Sequence, residues 1–175
     1  MILIASNLDA LEKSGKIASV TRTNIARAGL GLAVRAGQPK PDIRTSDAFK
    51  QALVNAKSVA YVTAGASGKH LIAVAERLGI ADQLTAKGKT LPTGNVAEFV
   101  ANGEAELAIQ QMSELMAVKG VDVVGELPAD VDLVSQIAAA MSANAKEPEA
   151  GKAFIRFLTT MDAGTTIRAS GMIPD

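Results

Sequence analysis

Short apolar runs alternate with amphipathic helical stretches along most of the chain, and that alternation limits the folds open to it. "GLGLAVRAG" (29–37), "SVAYV" (58–62), "AELAIQ" (105–110), "VDVVGEL" (121–127) and "VDLVSQIAAAM" (131–141) have the length and composition of strands. Between them Phe49, Ala52, Leu53 and Ala56 recur at helical spacing, as do Leu71, Val74, Ala75 and Leu78. Thr45 or Ser46 is placed to cap the first of these helices, and Gly79 to close the second. After the Pro92–Gly94 turn, Asn95 is placed to cap a third helix with Val96, Phe99 and Val100 inward and Gly103 at its end. Strands separated by helices predict βαβ units, a largely parallel sheet and an α/β fold.

Both chain ends fit the same grammar. "ILIAS" at residues 2–6 has the pattern of a buried strand, and Asn7 is placed to cap a short helix carrying Leu8 and Leu11 that Gly15 ends. Near the other end Pro148 can occupy a first helical turn, where its missing N–H is harmless. The helix it opens carries Ala153, Phe154, Phe157 and Leu158. Asp162 is placed to cap a last helix that stops at Gly171.

Composition narrows the function. The chain has 175 residues, 18 basic and 18 acidic side chains, and therefore no surplus of positive charge for a nucleic-acid partner. It has no cysteine and one histidine, which removes thiolate chemistry and the common zinc sets. Aromatic residues make up 3% of the chain and none is Trp, which argues against base-stacking surfaces. No paired acids or Ser/His/Asp set stands out, so no catalytic residue, metal ligand or cofactor is assigned and the chain is expected not to be an enzyme. There is no secretory signal pattern and no run long enough to span a bilayer.

One loop resembles binding chemistry. "TAGASGKHLIAVAERLGI" (63–80) is a small-residue turn opening a helix. A nucleotide phosphate loop would need Gly where Thr63 stands and Ser or Thr where His70 stands, and the spacing of Gly65 and Gly68 does not fit a dinucleotide fingerprint. What remains is a helix N-terminus with Ser67 as its expected cap and outward amides that suit a small anion. The alternative at this level is a plain strand-to-helix turn in which Ser67 caps only its own helix. His70 fits a solvated side chain, and Met112 and Met116 around Glu114 fit packing.

The order of several segments goes further. "VRAG" with "PDI" and "T-D-F" before a helix, "AY" then "GASG", "ERLGI", "GEAE-AIQQ-SEL", "GVD-VG-LP" and "EPEA-K-FI-FLT" run almost the whole length. In this order they resemble the molybdate-binding type of bacterial extracellular solute-binding protein. The resemblance implies a type 2 periplasmic-binding-protein fold of two lobes with a hinge. The second lobe would be continuous over 43–125, and the first would be discontinuous over 1–42 and 126–175. Ligand contacts would fall on Ser67 with the amides of Ala66 and Gly68, on Val96, and on Gln111. A small anionic ligand, the membrane permease of an ABC transporter and a periplasmic location follow by the same resemblance. Without a signal peptide, the chain as written would be cytoplasmic.

Two departures shape these expectations. Gln111 stands where the family pattern has a tyrosine, so a small organic acid enters beside molybdate-like oxyanions, because an amide both donates and accepts. The family's first strand–helix–strand unit has no counterpart before Met1, which predicts an incomplete first lobe, self-association and weakened anion binding. The alternative function is a cytoplasmic ligand-sensing or interaction domain of the same fold.

Overall fold

The computed structural model describes residues 1–175. The chain begins with β1 (Ile2–Ile4), α1 (Ala5–Lys13), β2 (Ile17–Ala28), β3 (Leu30–Arg35), α2 (Ser46–Asn55) and β4 (Val59–Val62). It continues through α3 (Gly65–Arg77), α4 (Ala81–Ala86), β5 (Gly88–Leu91), α5 (Ala97–Ala101), β6 (Leu107–Gln111) and α6 (Met112–Met116). β7 (Val121–Glu126), β8 (Ser135–Ser142), α7 (Pro148–Leu158), α8 (Met161–Ala169) and β9 (Ile173–Pro174) complete it. Two compact units result, one from residues 1–28 with 134–175 and one from residues 29–133.

The first unit is a four-stranded sheet in the order β1-β8-β2-β9, with every pairing antiparallel. A parallel arrangement was expected here and does not occur. The sequence pattern also misses β2, since register shifts at 18–23 and 24–26 break its alternation of buried and exposed positions. Leu8, Ile17, Ala138 and Ala140 form one small core, and Ile25, Ala26, Ala139 and Ile167 form another. Asn7 lies inside α1, whose N-cap is Ile4. Thr160 rather than Asp162 caps α8, its hydroxyl accepting the Ala163 N–H at 3.4 Å. No residue of α7 is buried: Phe154 and Phe157 are exposed, while Ile155 and Leu158 pack at the core's edge.

The second unit has a five-stranded sheet in the order β5-β4-β6-β3-β7. β5, β4 and β6 are parallel, as the βαβ pattern predicts, whereas β3 runs antiparallel to both β6 and β7. β2, which precedes β3 in the chain, belongs to the other sheet, and β3 runs antiparallel to its neighbours although α2 links it to β4. Because β3 pairs with β6 and β7, residues 29–42 belong to this unit rather than to the expected first lobe. Leu127 and Val131 pack in its larger core, which places 126–133 there too.

Helices α2, α3 and α4 cover one face of this sheet, with Phe49, Leu53, Leu71, Val74 and Leu84 buried against Leu32, Val59 and Ile109. The other face packs Ala33, Ala60 and Ala108 against Val96, Val100 and Leu115. Thr45 caps α2, accepting the Ala48 N–H at 3.1 Å. The far end of α2 is closed by the Lys87 ammonium, which donates to the carbonyls of Leu53, Val54 and Ala56 at 3.1, 2.7 and 2.8 Å. A cation on the last carbonyls of a helix satisfies acceptors that the helix itself leaves open.

Candidate functional site

The three parallel strands of the second unit end side by side, and each hands over to a loop or helix start. β4 ends at Val62 and α3 begins at Gly65; β5 ends at Leu91 and leads to the 92–96 turn; β6 ends at Gln111 and α6 begins at once. Thr63 N–H donates to Leu91 O at 2.8 Å and Ala64 N–H to Pro92 O at 3.1 Å, which ties the first two strand ends together. This is the edge at which open α/β sheets hold ligands.

At α3 the residue before the helix is Ala64, which has no side chain to cap it. Ser67 is the third helical residue rather than the N-cap the sequence suggests, and Gly65, with a positive φ of 85°, makes the turn into the helix. The N–H groups of Gly65, Ala66 and Ser67 lie in the first turn, before any N–H that donates within the helix, and have no partner elsewhere. The Ser67 hydroxyl is half-buried and also unbonded within the chain. Gly68 plays a different part. It is buried, and a Cβ there would lie 2.0 Å from the Val62 carbonyl oxygen. Its role is to let α3 pack onto the end of β4.

Val96 departs from the expected contact set. It is fully buried, and its N–H donates to the Gln110 side-chain oxygen at 2.9 Å. The Gln110 amide nitrogen donates to Gly94 O at 2.8 Å, so this buried side chain straps the 94–96 turn to β6. Asn95 completes the strap, donating to Glu114 O at 2.7 Å and accepting the Ala97 N–H at 3.0 Å. The Val96 amide is therefore spent inside the protein. Gln110 escaped notice in the sequence, although its signal is there: Ala108 and Gln110 share a strand face that is otherwise apolar, and a polar residue so placed needs internal partners.

Gln111 is half-buried at the end of β6, opposite Leu30, and its side-chain amide makes no hydrogen bond within the chain. It alternates with Ile109, so it projects from the sheet face that α3 covers. The structure thus brings Gln111 and the Gly65–Ser67 amides to the ends of neighbouring strands. Glu114, one turn into α6, is half-buried as well. Burial pushes its carboxyl above the ordinary carboxylate range, while hydrogen bonds from the Gln111 N–H and the Gln110 side chain pull the other way.

His70 is committed to structure, with Nε2 donating to Val131 O at 2.9 Å. No group of three His, Asp or Glu side chains is placed to hold a metal ion. No helix is long and apolar enough to cross a membrane.

The model of the bacterial extracellular solute-binding protein family matches residues 1–173. The chain belongs to that family. An aconitate isomerase from Pseudomonas sp. is 39% identical over 175 residues, which are 99% of this chain and 66% of that protein. The periplasmic molybdate-binding protein of Azotobacter vinelandii superposes with a TM-score of 0.75 at 19% identity, covering 97% of this chain and 75% of the other. A periplasmic thiamin-binding protein gives a TM-score of 0.68 at 17% identity, with 98% and 64% covered. At such identities the solved structures establish the α/β fold of the periplasmic binding proteins. They do not extend to a ligand. The solute-binding chain described here therefore spans about two thirds of the length of its curated relative.

Proposed function

We propose that this solute-binding chain takes a small organic polycarboxylate of the aconitate class at the carboxyl edge of the second unit's sheet, as the capturing component of an ABC-type uptake system. The observation that carries this reading is the set of unspent polar groups at that edge: the three N–H groups of Gly65–Ser67, the Ser67 hydroxyl and the Gln111 amide. Helix-start amides suit a carboxylate as well as an oxyanion. Gln111 supplies a donor and an acceptor where the molybdate-binding pattern has tyrosine, and the Val96 amide is withdrawn by Gln110. The 39% identity to an enzyme named for aconitate supports an organic acid over a metal oxyanion.

Calorimetry with trans-aconitate, cis-aconitate and citrate, against molybdate, tungstate and sulfate, tests the assignment. Saturable binding of a polycarboxylate with no response to the oxyanions is the expected result. Tight binding of molybdate alone would overturn it.

A second reading is isomerisation itself, favoured by the relative's name and by Glu114. Moving the double bond of aconitate requires a proton to leave the methylene carbon and another to arrive at the former vinyl carbon. No redox partner is needed. Proton exchange needs a carboxyl whose proton affinity is raised, and burial raises that of Glu114, whose carboxylate takes the Gln111 N–H. Chromatographic separation of cis and trans isomers after incubation, with Glu114→Gln as the inactive comparison, distinguishes a catalyst from a binder.

A further inference from the structure

At the opposite edge of the same sheet lies a hollow of about 420 Å³ that the polar groups described above do not touch. Val34 pairs with Leu107 and Leu30 with Gln111, so the hollow and Gln111 lie at opposite ends of β6. Four residue steps along the strand separate them, roughly 13 Å at the usual rise. Val34, Ala52 and Leu107 line the hollow with apolar surface, all three being core residues whose outer atoms face it. Its size falls within the range of small-molecule sites, which combine apolar walls with a few polar groups.

The polar groups at this hollow are unequal. Arg35 is exposed, and its guanidinium makes no hydrogen bond or ion pair within the chain. Arg22, Arg27 and Arg44, by contrast, each have a carboxylate partner. Glu106 also lines the hollow, its carboxylate fixed by the Lys57 backbone N–H at 2.7 Å with the Lys57 ammonium 3.8 Å away. Asn55 adds a neutral amide from the end of α2. An unpaired guanidinium over an apolar floor selects an anion with a hydrocarbon part, since the fork matches a carboxylate and the floor rewards the tail. A fixed carboxylate in the same hollow repels a second negative charge on the guest.

We infer that this hollow is a second, separate binding site for a small monocarboxylate with a short branched or aromatic tail, anchored by Arg35 and selected against dianions by Glu106. It does not depend on the ligand at the other edge.

The test is an NMR titration of the isotope-labelled chain with isovalerate, with acetate and succinate as comparisons. Isovalerate is expected to give saturable shifts confined to amides near residues 34–38, 52–56 and 103–107. Acetate, lacking the tail, and succinate, carrying a second charge, should bind at least about tenfold more weakly. Arg35→Gln should weaken isovalerate about tenfold or more, as loss of one charge-assisted contact does, with the rest of the spectrum unchanged. Arg35→Lys, which keeps charge without the fork, should fall between. Glu106→Gln should narrow the gap between isovalerate and succinate. Absence of saturable shifts, equal binding of succinate by the unmodified chain, or an Arg35→Gln variant with a native spectrum and unchanged affinity would each overturn the assignment.

Discussion

The Asp132 carboxylate accepts the backbone N–H of Leu30 at 2.7 Å and, through the same oxygen, that of Leu133 at 2.7 Å. One side chain thus fastens together the two segments by which the chain enters and leaves the second unit, at 28/29 and 133/134. Gly29 fits beneath it without a side chain, since a Cβ there would stand 2.8 Å from the other carboxylate oxygen. Leu30 is fully buried, so its N–H has no water to turn to. Asp132→Ala is expected to destabilise the chain by about 1–3 kcal/mol, the usual penalty for orphaned buried donors. Asp132→Asn retains an acceptor and should lose less. Urea unfolding of the three proteins measures the difference, and equal stability of Asp132→Ala and the parent would show that the clasp is dispensable.

Gln110 makes the second such clasp, between β6 and the 94–96 turn. Replacing it with Leu keeps the volume but removes the acceptor for Val96 N–H and the donor for Gly94 O. Stability should fall by about 1–3 kcal/mol, and the Val96 amide should exchange with solvent faster than in the parent. If Val96 stayed fully protected in Gln110→Leu, the bond would not be what holds the turn.

These two side chains show where the sequence was readable and where it was not. The helices over 46–55 and 65–77 and the strands around them follow from periodicity, because each buries one regular face: Phe49, Ala52 and Leu53 in the first, Leu71, Val74 and Ala75 in the second. Strand direction is not a periodic property, and neither the antiparallel course of β3 nor the antiparallel first sheet could be read from alternation alone. The candidate edge was legible as a loop around Ser67 and as Gln111. Which amides at that edge remain unspent depends on a partner fourteen positions away in the chain, Gln110 for Val96. Only the folded register brings that pair together.

Gly68 offers a test of packing rather than polarity. An added methyl would meet the Val62 carbonyl oxygen at 2.0 Å, and a backbone atom cannot swing aside as a flexible side chain can. Gly68→Ala should therefore push the start of α3 off β4, at a cost of at least about 1–3 kcal/mol, and displace the Gly65–Ser67 amides with it. Gly65→Ala strains the backbone instead, because φ at that residue is 85° with no steric obstacle nearby. Thermal unfolding should rank Gly68→Ala as the less stable of the two, and the reverse order would mean that α3 can shift without loss.

Glu114 ties stability to pH in a definite sense. Burial raises its folded-state proton affinity above that of the unfolded chain. A carboxyl with a raised pKa holds its proton more tightly when folded, so the stability it contributes is full at acid pH. That stability is lost as pH rises from the ordinary carboxylate range through the raised folded value. Above that window the folded protein carries a partly desolvated charge that the unfolded chain does not. Glu114→Gln removes the charge and keeps an oxygen for the Gln111 N–H. It should melt at a higher temperature than the parent at pH 7–8, with the gap closing as the pH is lowered below the ordinary glutamate range. Melting curves of both proteins across that range test the sign directly. A gap that widened on acidification would mean that the hydrogen bonds from Gln110 and Gln111, rather than desolvation, govern this carboxyl.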